Sequence, residues 1–575
     1  MRYHGNCTSP SSSGGAAFAG SALAETAAVR RPSHALAAAA TLLIAATGCT
    51  SLRQWVDNGF RVGPNYGRPE APVAEQWIDY ANPRDAADEQ DLSAWWRSFN
   101  DPALDELIES AYRQNLSLRV AGARILEARA QRQIAAGNLW PQFQEAFGDY
   151  SRNKLSSASA NPPPELWFSN WETGFNLAWE LDFWGRFRRA IEASDAQLDA
   201  SIENYDDVLV ILLSDVATNY LEFRTFQERL TYARQNVEIQ AKSLQLAEDK
   251  FSAGAATERD VQQARQVLEQ TQALVPRLEI GARRANNALC VLLGIPPRDL
   301  AEILGRTGTI PATPKQAAVG IPADLVRRRP DLRRAEREVA AQSARIGVAE
   351  ADFYPRFSLI GTLGVQAEQF GDMFDTPGAM SAGIAPEFRW DILNYGRILN
   401  NVRVQDARFE QLAFAYQEAV LRAGREAEDA IVSYVKGHEE VDRLTASVAA
   451  ANRTYEITFD QYRLGAVDFT PVFLFQSTLT DQQDQLAAAR GNVAISLVNL
   501  YRALGGGWEM RLNRPTSAGD GQFRPLPPPA AAPNPAIDAP RPGDVPLPAA
   551  PLPAAPLPRG AAEPPAPVPA PDPNA

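Results

Sequence analysis

Apolar residues recur every seven positions along one stretch of the chain: Ile202, Leu209, Val216, Phe223, Leu230, Val237, Leu244 and Phe251. Such a repeat is the seam of a helix that supercoils left-handedly against a neighbour, because the apolar line drifts on a straight helix of 3.6 residues per turn. No proline interrupts Gly185 to Gly254, so the pattern predicts one continuous helix of roughly 100 Å at about 1.5 Å per residue. The pattern occurs twice. Gly185, Gly254 and Gly294 recur as Gly396, Gly465 and Gly505, each pair 211 positions apart. Shifted by that interval the seam reads Ala413, Val420, Ala427, Tyr434, Val441, Val448, Tyr455 and Tyr462, with smaller side chains in the same phase. A second seam line, Tyr205, Leu212, Asn219, Phe226, Ala233, Gln240 and Ala247, is weaker. Acidic positions such as Glu228, Glu238 and Glu248 read as a solvated helix face.

Ahead of each long helix the period changes from seven to two. Phe175, Leu177, Trp179 and Leu181 interleave with Gly174, Asn176, Ala178 and Glu180, while Ile384, Pro386, Phe388 and Trp390 interleave with Gly383, Ala385, Glu387 and Arg389. The upstream halves, near Phe143 to Tyr150 and Phe357 to Val365, alternate less cleanly but are equally rich in aromatic and β-branched residues. Each insert therefore predicts a hairpin, with residues 154–165 and 371–378 as its turns. Pro386 on the apolar side predicts a bulge or a strand end. Strands of about 10 residues with an aromatic face and a polar face have the dyad of outer-membrane barrels, but four per chain fall short of the roughly eight of the smallest such barrel. A barrel built from them is shared between chains, with the heptad seams joining neighbouring helices beneath it.

The termini place the chain. Residues 30–50 read RRPSHALAAAATLLIAATGCT: two arginines, an apolar run, and small residues before Cys49. That is an export signal, so residues 1–48 are expected to be a signal peptide. After Cys49 no window approaches the ~20 continuous apolar residues of a spanning helix. A net charge of −13 argues against a nucleic-acid partner. Cys7, Cys49 and Cys290 make neither a disulfide framework nor a metal site, and Cys290 between Leu289 and Val291 reads as a small core residue. Residues 509–575 become Pro/Ala-rich and predict a disordered, partly polyproline II tail, either a tolerated terminal tract or a binding segment. Between the ends the expected organisation is a lipid-anchored segment at 49–100 and two structural repeats at 101–320 and 321–508. Their hairpins fall near 140–181 and 354–391, and their long helices near 185–251 and 396–463.

Several passages resemble one known family. They are Val62-Gly63-Pro64-Asn65-Tyr66-x-Arg68-Pro69, Trp95-Trp96-x-x-Phe99-x-Asp101-Pro102-x-Leu104, Arg328-Arg329-Pro330-Asp331, Tyr354-Pro355-x-Phe357, and Phe388-x-Trp390-x-Ile392-x-x-x-Gly396-Arg397. In order and spacing they are similar to the TolC-like outer-membrane channels of tripartite efflux pumps and type I secretion, particularly the NodT/OprM-type lipoproteins. The ending Ala46-Thr47-Gly48-Cys49 resembles the lipobox of that lineage, with alanine where leucine is usual, and implies acylation of Cys49.

The resemblance implies a mainly α fold with membrane β: a homotrimer whose twelve strands form one barrel in the outer membrane above a coiled-coil tunnel crossing the periplasm. It implies a periplasmic adaptor and an inner-membrane transporter, of the RND or ABC class, as partners, and no cofactor. Phe251, Gly254 and Ala255, with Tyr462, Gly465 and Ala466, look like the helix-to-helix turns at the periplasmic tip that touch the adaptor. Helix termination alone explains both glycines equally well. Asp260 and Tyr462 match a carboxylate and a phenol that latch neighbouring helices in the closed gate; alternatively Asp260 favours the first turn of its helix and Tyr462 fills the seam. Leu474 stands where many members carry the constricting aspartate, within Phe473-Leu474-Phe475, so an apolar constriction or plain packing replaces an acidic ring.

An enzyme is not expected. His4, His34 and His438 are the only histidines, and no nucleophile motif or phosphate-cradling loop appears. A non-conducting coiled-coil surface lipoprotein would share the heptads, yet it would not need duplicated hairpins of membrane-spanning length. A duct for type I protein secretion would share both features.

Overall fold

The computed structural model describes residues 51–78, 92–158, 164–305, 308–314 and 322–512. Cys49, the signal segment and the Pro/Ala-rich tail beyond Leu512 lie outside the described residues. Helix α1 (Leu52–Asp57) begins the described chain, and after a 3-10 turn over Leu92–Phe99 come α2 (Pro102–Gln114) and α3 (Leu116–Gly137). Strands β1 (Phe143–Lys154) and β2 (Trp167–Leu181) lead into α4 (Arg186–Ser252) and α5 (Glu258–Leu292). The second repeat runs α6 (Pro330–Glu350), β3 (Arg356–Ala367), β4 (Met380–Arg389), α7 (Arg397–Arg463) and α8 (Phe469–Ala503).

The duplication is exact in the lengths of the long helices and their return helices. Both long helices contain 67 residues and both return helices 35. The long helix of each repeat packs along its own return helix, and the repeats meet where α4 lies against α6 and α8. The main core gathers there, with Leu209, Leu213, Val216 and Tyr220 of α4 against Leu497, Val498 and Tyr501 of α8 and Trp95 and Trp96 of the 3-10 turn. Cys290 lies in the same core, as its apolar neighbours suggested. Among the described residues no helix is long and apolar enough to cross a membrane.

A single antiparallel sheet in the order β1-β2-β3-β4 joins the two hairpins edge to edge. At the base of each hairpin one bond repeats. The Trp179 indole donates to the Leu139 carbonyl at 3.2 Å, and its counterpart Trp390 donates to the Phe353 carbonyl at 2.9 Å. Pro386 departs from expectation. It sits within β4 opposite Leu359 in an unbroken register, neither bulged nor terminal. Within one chain β4 is an edge strand, where proline is tolerated because one of its two rows of backbone groups has no intrachain ladder to interrupt.

Arg189, fully buried at the start of α4, ties the N-terminal segment down. Its guanidinium donates to the carbonyls of Val62 and Gly63 and to Asn65 Oδ1, at 2.9–3.0 Å, and to Glu192. Further along the segment, Arg68 pairs with Glu336 at 2.9 Å. Glu228 corrects another reading. It is buried rather than solvated, accepting from Arg490 at 3.1 Å and from the Ile310 backbone N–H at 3.2 Å. Glu238 and Glu248 are solvated as expected, paired with Lys242 and Arg265.

Candidate functional site

The sheet has two chemically distinct faces, and its register sorts them. In β2 the residues Phe175, Leu177, Trp179 and Leu181 pair with Leu363, Gly361, Leu359 and Phe357 of β3, which in turn face Ala382, Ile384, Pro386 and Phe388 of β4. Cross-strand partners project to the same side, so these residues make one apolar face. Phe175, Leu363, Ile384 and Phe388 are all exposed on it. Alternate positions make the other face. It carries Glu145, Asp149, Glu172, Asn176, Glu180, Thr362, Gln366 and Glu387, with side-chain bonds from Thr362 to Asn176 (3.2 Å) and from Gln366 to Asn170 (2.9 Å) across the strands. Phe143, Phe147, Phe168 and Ile360 also fall on this polar side, which is why β1 and β3 alternate less cleanly.

Aromatic residues cluster at both ends of the sheet. Near the helices, Trp55 of α1 packs on Phe183 and Trp184, and these on Phe357 and Tyr354, at centroid distances of 4.5–5.5 Å. At the far end, Tyr150 packs on Trp171 at 4.2 Å and Lys154 lies 5.3 Å over the Trp167 ring. Amphipathic rings in two belts flanking an apolar band are the arrangement that suits a sheet to the two interfaces of a bilayer. One face is apolar, the other polar, and aromatic rings gather at both ends, so the sheet has the two faces that a membrane wall requires.

At the opposite end of the long helices lie the two turns singled out in the sequence. Gly254 and Gly465 both adopt left-handed φ, +75° and +80°. At each, paired backbone bonds close the helix: Gly254 and Ala255 donate to the carbonyls of Phe251 and Lys250, and Gly465 and Ala466 donate to those of Tyr462 and Gln461. This is the Schellman closure, so helix termination accounts for both glycines. The turns are not equivalent in their side chains. Phe251 is exposed, whereas its counterpart Tyr462 is buried; exposed Leu464 follows Tyr462 in the second turn.

Tyr462 belongs to a small core at this end with Ala247, Val261, Ala264, Phe469 and Val472. Lys250 crosses from the first repeat to the second, donating to the Tyr462 carbonyl at 2.6 Å with its ammonium 4.6 Å from the ring centroid. Burial pushes the Tyr462 phenol above its ordinary range, and the charge of nearby Asp260 adds to the shift. Yet the expected Asp260–Tyr462 hydrogen bond is absent: Asp260 Oδ1 and the Tyr462 hydroxyl are both buried without a hydrogen-bond partner, Oδ1 lying 3.8 Å from the Arg259 guanidinium. Asp260 instead closes a capping box. Its Oδ2 accepts from the Thr257 backbone N–H at 2.9 Å, and Thr257 Oγ1 accepts from the Asp260 N–H in return. The Thr257-x-x-Asp260 spacing is the signal that sequence reading missed.

Leu474 is exposed near the start of α8, while Phe473 and Phe475 pack partly buried against the same small core. Two of the three apolar residues thus serve packing. Cys49 lies outside the described residues, but α1 starts just after it and carries Trp55 into the aromatic belt at the helix end of the sheet.

Known proteins share this architecture. The chain is 29% identical to Nodulation protein T of Rhizobium leguminosarum bv. trifolii over 78% of its own length and 95% of the relative's. It is 30% identical to the pyoverdine export outer membrane protein OpmQ of Pseudomonas aeruginosa, over 76% and 91% of the two chains. The solved structure of the outer-membrane channel OprN superposes with a TM-score of 0.73 at 32% identity, covering 78% of this chain and 99% of that one. The profile of the family described as Outer membrane efflux protein matches residues 107–295 and 321–506, one stretch in each repeat. By those two matches, set on the duplicated helices and the two-faced sheet, the chain belongs to the outer membrane efflux protein family.

Proposed function

We propose that three copies of this chain close their sheets into one twelve-stranded barrel in the outer membrane. Beneath it their helices form a tunnel through which small molecules leave the cell. The observation that carries this reading is the pair of free sheet edges on β1 and β4 beside an apolar, exposed face. Backbone groups cannot remain unpaired in hydrocarbon, so β1 of one copy pairs with β4 of the next. The acyl chain expected on Cys49 would enter the bilayer at the same level as the Trp55 belt.

The turns at Phe251, Gly254, Ala255 and at Tyr462, Gly465, Ala466 are the surfaces for a periplasmic adaptor, itself coupled to an inner-membrane transporter of the RND class. Small-molecule cargo is favoured over a secreted polypeptide by the pyoverdine exporter among the relatives. Asp260 and Tyr462 serve the gate: each holds a buried polar atom that a neighbouring copy or a shift of the helices would satisfy. Leu474 supplies an apolar rather than acidic lining.

Native mass spectrometry of protein extracted in mild detergent tests the assembly, with three copies expected; a monomer that keeps its full helical content refutes it. Conductance in planar bilayers tests the gate. D260A and Y462F are expected to open the channel more often, and strong block by trivalent cations at low concentration would contradict the absence of an acidic ring.

A further inference from the structure

A cleft of about 450 Å³ touches α3, α4, α6 and α7 at once. These helices lie side by side, α3 against α4, α4 against α6, and α6 against α7. The cleft therefore opens on one side of this row of helices. The N-terminal segment lies on the other side, since Gly63 packs against Gly347 and Arg68 pairs with Glu336, on the face of α6 opposite the cleft residue Arg345. The cleft also continues the polar face of the sheet. Asp352 accepts from Arg356 at 2.8 Å and lies 3.8 Å from Arg186, which reaches Glu180 of β2 at 3.5 Å.

Two guanidinium groups line the cleft without a carboxylate of their own. Arg345 reaches only amide oxygens, those of Gln342 at 3.4 Å and Gln197 at 3.5 Å. Arg408 makes no ion pair or hydrogen bond among the described residues, and Asp352, the acid on the cleft wall, is already taken up by Arg356 and Arg186. Asn401 and Gln405 contribute amides. We infer that this cleft is an anion-binding station on the inner wall of the passage, where Arg345 and Arg408 hold the carboxylate, phosphate or sulfonate group of a solute in transit.

The inference rests on the reading of the chain as a channel wall. Its chemistry suits transit rather than storage. Both arginines are exposed, so each contact competes with water and is screened by salt. Beyond the cleft the polar face of the sheet turns acidic, with Asp149 directly opposite Glu172. Like charges facing each other across a ladder are destabilising. An anion therefore finds its favourable stop at the arginines and no second one among the sheet carboxylates.

Calorimetric titration of the detergent-solubilised assembly with inorganic tripolyphosphate at low ionic strength tests this. The R345Q/R408Q variant is expected to bind about tenfold more weakly, roughly 1.4 kcal/mol. R345K/R408K should retain most of the affinity, and R152Q, on the apolar face of the sheet, all of it. Equal binding by wild type and R345Q/R408Q overturns the site. So does an absence of binding to wild type, the outcome if a neighbouring copy supplies carboxylates to Arg408. Failure of the channel reading shows separately, as wild-type protein that stays monomeric and forms no conducting unit in planar bilayers.

Discussion

Arg229 and Asp484 are joined by two parallel bonds, Nε to Oδ1 at 2.7 Å and Nη2 to Oδ2 at 2.8 Å, across the seam where the first repeat meets the second. Below them the seam stays polar: Asn236 donates to Gln483, Gln240 to Thr480, and Gln476 to Ser243, each at 2.7–3.2 Å. Inside a coiled coil such residues cost stability relative to leucine but fix register, because a slip leaves every one unpaired.

The forked pair is the strongest single link in that seam. R229A and D484A should each destabilise the solubilised protein by about 1–3 kcal/mol, and the double variant by little more than either, because each single change already removes the whole interaction. Thermal unfolding of the four proteins under one condition measures the coupling; additive losses would mean the two side chains act independently.

Gly254 and Gly465 are held by backbone conformation and not by space, since a Cβ at either position would meet nothing within 4 Å. Alanine there should cost about 1–2 kcal/mol for the left-handed φ alone. Gly424, inside α7 and equally open, is the control: G424A should stabilise by about 0.5–1 kcal/mol. Amide hydrogen exchange at Ala255 and Ala466, the donors that close the two turns, reports the first effect. Unchanged protection in G254A and G465A would show that the turns are held by something other than their glycines.

These glycines, the two 67-residue helices and the hairpins were legible because each depends on residues close in sequence or on a period repeated many times. The seam partners were not. Gln240 read as a weak seam position because its partner Thr480 lies in the other repeat, and Glu228 read as solvated because Arg490 and the Ile310 N–H arrive from distant segments. Asp260 lies near enough to Tyr462 for its charge to raise the phenol, but Thr257, three residues before Asp260, claims one of its carboxylate oxygens. Pro386 misled for a different reason, since only the strand order reveals that β4 is an edge.

At the start of α6, Arg329 holds Asp331 in a second fork, at 3.0 and 2.8 Å, and also reaches Glu426. Burial alone would raise the Asp331 carboxyl, but the Arg329 bonds and charge outweigh it and the net shift is downward from 3.8. A carboxylate whose folded value lies below its unfolded one adds stability above the unfolded range, and that stability is lost as pH falls through the folded value. D331N should therefore lower the melting temperature at pH 7, and the gap from wild type should close below pH about 4. A gap that persists undiminished at pH about 2 would assign the loss to packing instead of charge.

The two faces of the sheet give the sharpest contrast. Phe175 of β2 pairs with Leu363 on the apolar side, while Glu172, three residues earlier in the same strand, lies on the polar side opposite Asp149. An arginine at position 175 would stand in hydrocarbon, at a cost of about 2–4 kcal/mol per chain near the bilayer centre and the same again for every further copy in the barrel. An arginine at position 172 would face the polar interior and relieve the like-charge pair with Asp149. F175R should therefore fail to accumulate in the outer membrane, and E172R should accumulate as wild type does, as judged by heat-modifiable mobility and membrane fractionation. If E172R fails while F175R assembles, the face assigned to lipid is the lumen and the wall is inside out.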